Sequence, residues 1–291
     1  ADRTGNFCSI GFQFIHSRSI RQLKERIVDG QLGEIEELAA KGYWPRTDAY
    51  YGRNPWAGTL VNEGELVLDG PVHNAFAHFL QNMLFLAGDG LHESADLAEI
   101  TAERYRANRD IDAADVATLQ ATTTDGTEIS FYVTHVADER QDPYMEVTGT
   151  EGSAEWHFDE TTTVRTADGE EASFDGEDVD PWLEVLRTTA DYKRGDLEQL
   201  YCTPANTRPF VTAIDGSFES TERIRAVPED RVDIEELDNG EVRRVVDDLN
   251  AYLDDAFERR VLLSDTDAPW ASATDSVDLD GYDQFSPFPI E

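Results

Sequence analysis

Between residues 96 and 166, six strand-like segments follow one another with no helical pattern between them: 96–106, 115–123, 127–136, 143–150, 153–158 and 161–166. Turn signals such as Asp125-Gly126 and Glu151-Gly152 separate them. Strands joined this closely pair antiparallel, because a parallel pair needs a crossover of about a dozen residues or more. The run predicts an α+β fold: a large, mainly antiparallel open sheet with helices on one face.

The flanking segments supply the helices. Residues 18–29 carry Ile20, Leu23 and Ile27 at helical spacing and stop at Gly30. Residues 71–87 read as a helix that is apolar nearly all round, and such a helix is buried. Further helices are expected over 181–192, 203–219 and 242–262. Residues 7–15 and 33–44 read as strands, and 45–68 as an aromatic loop. The expected organisation is one domain over 1–263 and an extended arm over 264–291. No window reads as G-x-G-x-x-G after a strand, so no Rossmann half is expected in this chain.

Composition narrows the function classes. There are 61 acidic residues against 24 basic ones, a net charge of −37. The basic residues include only three lysines, Lys24, Lys41 and Lys193. Such a chain repels phosphate backbones and anionic membranes, so neither nucleic acid nor membrane is expected as a partner. The acid is dispersed and lysine is nearly absent, which points to a salt-rich cytoplasm. Near 1 M salt a Debye length of ~3 Å screens the self-repulsion. Two cysteines exclude a disulfide framework and a cysteine-based metal site. No metal site is expected.

On the helix over 71–87, Asn74, His78 and Asn82 recur every four residues, one polar line on a buried element. Buried polar groups must find partners, in the protein or in a ligand. The preceding loop carries Tyr43, Trp44, Arg46, Tyr50, Tyr51, Arg53, Asn54 and Trp56. Flat apolar faces beside guanidinium forks suit a polyhydroxylated or carboxylated small molecule. The alternative is an ordinary loop with aromatic anchors above a satisfied core histidine.

The run Lys24, Ile27, Gly30, Leu32, Gly33, Glu34, Ile35, then Trp56-Ala57-Gly58, Asp69 and a histidine-bearing helix ending in Leu86-Ala87-Gly88, resembles the C-terminal domain of the glucose-fructose oxidoreductase / inositol dehydrogenase / MocA family. The resemblance spans roughly residues 7–220. It implies an NAD(P)-dependent sugar or polyol oxidoreductase, a homodimer or tetramer formed through the sheet face, and a catalytic histidine. Two positions can take that histidine. His73 lies four after Asp69, and His78 lies ten before Gly88; His78 is preferred, with Asn74 beside it. Tyr43, Arg46, Tyr51, Arg53, Trp56, His73 and Asn82 are then the expected substrate-binding residues. The chain departs from the family at Ala57, where arginine is usual, and at Asn74 and Gln81, where amides replace carboxylates. The family's nucleotide-binding half and its E-K-P lysine have no counterpart here, so NAD or NADP is expected to be held mainly by a missing N-terminal half. The competing expectation is a sugar-binding or assembly module without redox activity.

The charge pattern carries its own test. The melting temperature is expected to rise steeply between low and molar KCl; a midpoint unmoved by salt would remove the halophilic reading.

Overall fold

The computed structural model describes residues 2–176 and 179–286. In chain order its helices and strands are α1 (Arg18–Val28), β1 (Ile35–Tyr43), α2 (Asp48–Tyr51), β2 (Val61–Asn62), β3 (Glu65–Leu66), α3 (Ala77–Ala87), β4 (Leu97–Arg106), β5 (Val116–Thr123), β6 (Glu128–Thr134), β7 (Gln141–Gly149), β8 (Gly152–His157), β9 (Thr162–Thr166), β10 (Glu171–Phe174), α4 (Pro181–Arg194), α5 (Pro204–Thr221), β11 (Arg225–Ala226), β12 (Val232–Glu236), β13 (Val242–Val246), α6 (Leu249–Arg259) and β14 (Val277–Asp278). Ten strands form one sheet in the order β10-β9-β8-β7-β1-β6-β5-β4-β11, with β14 pairing β4. The β1–β6 and β4–β11 pairs are parallel and the others antiparallel. None of the described helices is long and apolar enough to cross a membrane.

The period of two along the strands sorts their side chains. Leu38 and Ala40 of β1, Leu119 of β5, Ile129, Phe131 and Val133 of β6 and Trp156 of β8 share one buried cluster with α1, α3 and α5. Ser17 starts α1, its Oγ accepting from Ile20 N at 3.3 Å. Lys24 of α1 is buried, and its Nζ donates to Leu86 O at 3.4 Å and to Gly88 O. It thereby ties down the carbonyl end of α3. Burial pushes its ammonium down to about 7.

Four expectations need correction. Helices cover both faces of the sheet, not one. Leu249, Leu253 and Phe257 of α6 pack with Ala39, Tyr43 and Tyr132 on the other face. The sheet face opposite α6 is closed as well, since Ile129, Phe131 and Val133 are buried in one cluster with α1, α3 and α5. Residues 7–15 are not a strand: Phe7–Phe12 is irregular, and a 3-10 turn follows over Gln13–His16. A short apolar run has no period to distinguish a central strand from an irregular segment and a turn. The helix expected over 242–262 is a strand and a helix. The β-branched run Val242–Val246 pairs with the unanticipated β12, and Asp248 at φ +57° breaks the chain before α6.

The fourth correction concerns the candidate site directly. The helix expected from residue 71 begins at Ala77. Residues 71–76 instead make turns, with Asn74 N donating to Gly70 O at 3.1 Å and Phe76 N to Pro71 O at 2.9 Å. Side-chain bonds described below compete with helix formation here. Phe76 then lies on β1: a Cβ at Gly42 would meet its Cε1 at 2.6 Å.

Beyond residue 263 the chain first packs Ala268 and Trp270 on the α6 face, and from Val277 it pairs with β4 and runs beside α5. Leu279 N donates to Ala98 O at 2.7 Å and Tyr282 Oη to Glu219 Oε1 at 2.7 Å. Residues 287–291 of the expected arm, like residues 1 and 177–178 of the expected domain, lie outside the described residues.

If α6 is integral to the fold, Leu253→Ala should cost about 2–5 kcal/mol, because Leu253 is fully buried. Ile234→Ala, at a site 71% exposed, should stay within about 0.5 kcal/mol. Denaturant midpoints at fixed KCl give both; a small loss at Leu253 would show that α6 is peripheral.

Candidate functional site

The turn before α3 is organised by Asp69, a buried carboxylate. Its Oδ2 accepts from Gly58 N at 2.6 Å and its Oδ1 from Asn74 Nδ2 at 3.0 Å. The Asn74 amide also lies 3.4 Å from Tyr50 Oη. His73 Nδ1 is 3.0 Å from Leu68 O, so it carries its proton there, and burial lowers its basicity. Trp56-Ala57-Gly58 and Asp69 thus form one hydrogen-bonded unit. The same bonds keep Asn74 off the α3 helix, so Asn74, His78 and Asn82 do not form one helical line.

His78 sits in the first turn of α3 among rings. Its centroid lies 5.4 Å from Phe12, 5.9 Å from Phe14 and 6.4 Å from Trp182. Its Nδ1 is buried with no hydrogen-bond partner. Burial pushes the imidazole down to about 4, so the ring is neutral at pH 7. One turn further on, Asn82 is fully buried with neither amide atom partnered. It is a core residue, shut off from solvent. From His78 a continuous run of ring contacts leads through Phe14 and Phe158 to Trp44, with Phe158 and Trp44 5.4 Å apart.

The loop residues divide. Tyr43 ends β1 on the α6 face, where its Oη donates to Asp254 Oδ1 at 3.0 Å. The structure therefore does not bring it together with His78. Alternation along β1 carries that signal, since Tyr43 shares parity with Ala39, not with Leu38. The others gather around α2. The Arg46 guanidinium lies 4.5 Å from the Tyr50 ring centroid, and that of Arg53 lies 3.6 Å from it and 5.2 Å from Trp56. Tyr51 Oη lies 3.3 Å from Nδ1 of His135, a buried residue that sequence reasoning missed. A lone histidine just past a strand offers no spacing signal. Burial and the nearby Arg46 and Arg53 hold its basicity well below the ordinary histidine range. Its Nε2 is buried without a partner. Phe12, Phe14 and Trp182, which frame His78, were also missed. The first two lie in the misread segment 7–15, and Trp182 follows the helix-starting Pro181.

Two chemistries are thus side by side: a neutral imidazole with an unpartnered nitrogen in an apolar setting, and a loop of amide, phenol and guanidinium donors. The first can take a proton from a bound hydroxyl, and the second can hold hydroxyl or anionic groups.

Residues 20–155 match the sequence model of the GFO/IDH/MocA C-terminal domain. No curated protein matches the chain. Among solved structures, an oxidoreductase from Agrobacterium radiobacter in complex with NAD+, L-tartaric acid and magnesium is similar with a TM-score of 0.59 at 16% identity, over 76% of this chain and 64% of that one. The WlbA dehydrogenase from Bordetella pertussis, in complex with NADH and UDP-GlcNAcA, gives 0.57 at 19% identity, over 78% and 65%. The transcriptional regulator Gal80p from Kluyveromyces lactis gives 0.58 at 16% identity, over 76% and 62%. This chain therefore spans just under two thirds of the length of each. At these identities the likeness is one of fold: the chain is similar over residues 20–155 to the GFO/IDH/MocA C-terminal domain, and shares its architecture with both oxidoreductases and a transcriptional regulator.

Proposed function

We propose that this chain belongs to the GFO/IDH/MocA family and forms the substrate-binding and proton-transferring part of an NAD(P)-dependent sugar or polyol oxidoreductase. The observation that carries the reading is the buried, unpartnered Nδ1 of neutral His78 on an aromatic wall. A substrate hydroxyl placed against that nitrogen would give up its proton there as its carbon is oxidised. The oxidoreductase neighbours, whose complexes hold NAD+ or NADH and sugar-related acids, support the assignment.

The dinucleotide itself does not fit this chain's helix starts. A pyrophosphate needs free backbone N–H groups at a helix N-terminus. At the starts of α1, α4 and α5 the chain's own side chains already take those groups, Ser17 accepting from Ile20 N, Asp180 from Trp182 N and Thr203 from Asn206 N. The cofactor would accordingly be bound by protein outside the described residues. Asn74, expected beside His78 in catalysis, serves in this reading to hold Tyr50 and the Asp69 turn in place. His73, bonded to Leu68 O, is the weaker candidate for the proton-transfer role. Assembly through the sheet would use the outer face on either side of α6: Glu155, Arg165 and Ser173 on β8–β10, and Thr101, Gln120 and Thr122 on β4–β5.

A second reading, a sugar-binding or assembly module without redox activity, has its own support. Among the described residues no carboxylate partners His78 to complete a proton relay, and one neighbour in fold is a transcriptional regulator. Titration calorimetry separates the two: an enzyme half binds sugar, and binds NAD(P)+ once the nucleotide-binding protein is supplied, whereas a module binds sugar alone.

Two outcomes are expected at His78. In the full enzyme His78→Asn should lower kcat by ~10²–10⁴-fold with little change in KM, while His73→Asn should not; the reverse pattern would move the catalytic role to His73. The second outcome is a pH dependence. The folded-state value of about 4 lies below the ordinary 6.5, so unfolding takes up a proton between those limits. His78 therefore withdraws stability as pH falls through that window. Relative to His78→Phe, which removes the titrating group, the wild type should lose about 2 kcal/mol between pH 7 and pH 5. Parallel unfolding curves at the two pH values would show that the ring is solvated.

A further inference from the structure

Arg46 and Arg53 approach the Tyr50 ring to 4.5 Å and 3.6 Å from its centroid. The two like charges can therefore be no further apart than the sum of those distances. Arg140 adds a third, 5.3 Å from the Trp44 ring that Arg46 also approaches at 5.4 Å. Arg46 is half-buried, and its Nε–H is buried with no acceptor. Burial lowers its hold on its proton, and Arg140 and Arg53 lower it further.

In a chain of net charge −37 a carboxylate could readily have been placed here. The local ones are committed elsewhere. Asp48 pairs with Arg244, Asp142 takes Arg140 and the Trp44 indole, and Asp69 takes Gly58 N and Asn74. Among the described residues neither Arg46 nor Arg53 forms an ion pair, and both face neutral His135 rather than an acid. A partly desolvated guanidinium with an unsatisfied N–H, crowded by two others, is completed by an anion. The planar fork favours a carboxylate, and the half-exposed Trp56 beside Arg53 offers a face for the C–H side of a sugar ring.

Resting on the reading above of a sugar-binding half, we propose that the substrate is a sugar acid, and that Arg46 and Arg53 hold its carboxylate while Trp56 stacks on its ring. A neutral polyol would leave the two guanidiniums uncompensated. These residues thereby set specificity for an anionic sugar, a role separate from proton transfer at His78.

The test is calorimetric titration of the chain, at one fixed KCl concentration, with glucuronate, glucose and glucose 6-phosphate. Glucuronate should bind at least about tenfold more tightly than glucose. Arg46→Met and Arg53→Met should each weaken glucuronate far more than glucose and so remove most of that preference. Arg46→Lys, which keeps the charge and loses the fork, should fall between. Arg53 is exposed, so its variant does not threaten the fold and keeps the test decisive should the Arg46 variants lose their cooperative melting. Equal affinity for glucose and glucuronate would overturn this inference and leave the sugar-binding reading standing. Tighter binding of glucose 6-phosphate than of glucuronate would overturn the choice of carboxylate. A preference for glucuronate that survives both arginine variants would overturn its location. Binding of none of the three would sink both this inference and the reading beneath it.

Discussion

Everything in this molecule is arranged around the need of α3 to find apolar surface on every side. Phe79, Leu80, Met83, Leu84, Phe85 and Leu86 are all buried, and at 3.6 residues per turn they leave no solvent face. The sheet supplies one side, and α1, α5 and the 3-10 turn over Gln13–His16 supply the others. Both ends of such a helix carry unpaired backbone groups into the interior. At the carbonyl end the solution is Lys24, reaching over from α1. Taking an ammonium into that position lowers its affinity for its proton, and the nearby Asp89 and Glu93 partly restore it. At the amino end the turn over 71–76 supplies the acceptors, with Ala77 N donating to Asn74 O at 3.3 Å and Phe79 N to Phe76 O at 3.0 Å, and Asp69 holds Asn74 in that turn. The lysine and the aspartate that stand out in the sequence are therefore the two anchors of one buried helix.

That constraint also explains why the candidate site lies where it does. A helix starting at Ala77 places His78 in its first turn, where the chain leaves the core, and Asn82 four residues deeper. The same spacing gives the two polar residues opposite circumstances. His78 borders Trp182, which is 64% exposed, whereas Asn82 has no exposure at all. Of the two, His78 is the one to which we assign contact with a ligand.

Most of the sheet was legible because its strands alternate cleanly, with one face on the helices and the other on α6. The errors fell where periodicity is ambiguous. In 242–262, Val245, Val246, Leu249 and Leu253 continue one helical spacing across what is in fact a strand, a break and a helix. Only the Asp247-Asp248 pair, at the residue that takes φ +57°, marked the interruption. In 7–15, a short apolar run mimicked a strand although Phe7, Cys8 and Gly11 are exposed. At the site, the chemistry-bearing residue types were legible but their grouping was not. The helical spacing of Asn74 and His78 suggested a shared face, and local bonding to Asp69 cancelled it. Tyr43 was assigned to the loop by sequence proximity, although strand parity sends it to the other face. His135 was invisible, because only the parallel pairing of β1 with β6 brings it beside Tyr51.

That parallel pair is the topological step that joins the two halves of the site. Tyr43 opposes Thr134 in the β1–β6 register, so the chain leaving β1 and the chain leaving β6 emerge at the same end of the sheet. Trp44 N donates to Thr134 O at 3.0 Å and Arg46 N to His135 O at 2.9 Å, which extends the pairing past the strands themselves. The arginine-bearing loop is thus fixed by backbone bonds to a central strand, although its own composition is that of a mobile surface segment. The Asp69 turn meets the same loop from the other side through Gly58 and Tyr50. Arg46 is held by its own N–H to His135 O, and the exposed Arg53 by its guanidinium donating to Tyr50 O at 2.6 Å. The backbone positions that bring both side chains to the Tyr50 ring are therefore set by the fold before any ligand arrives.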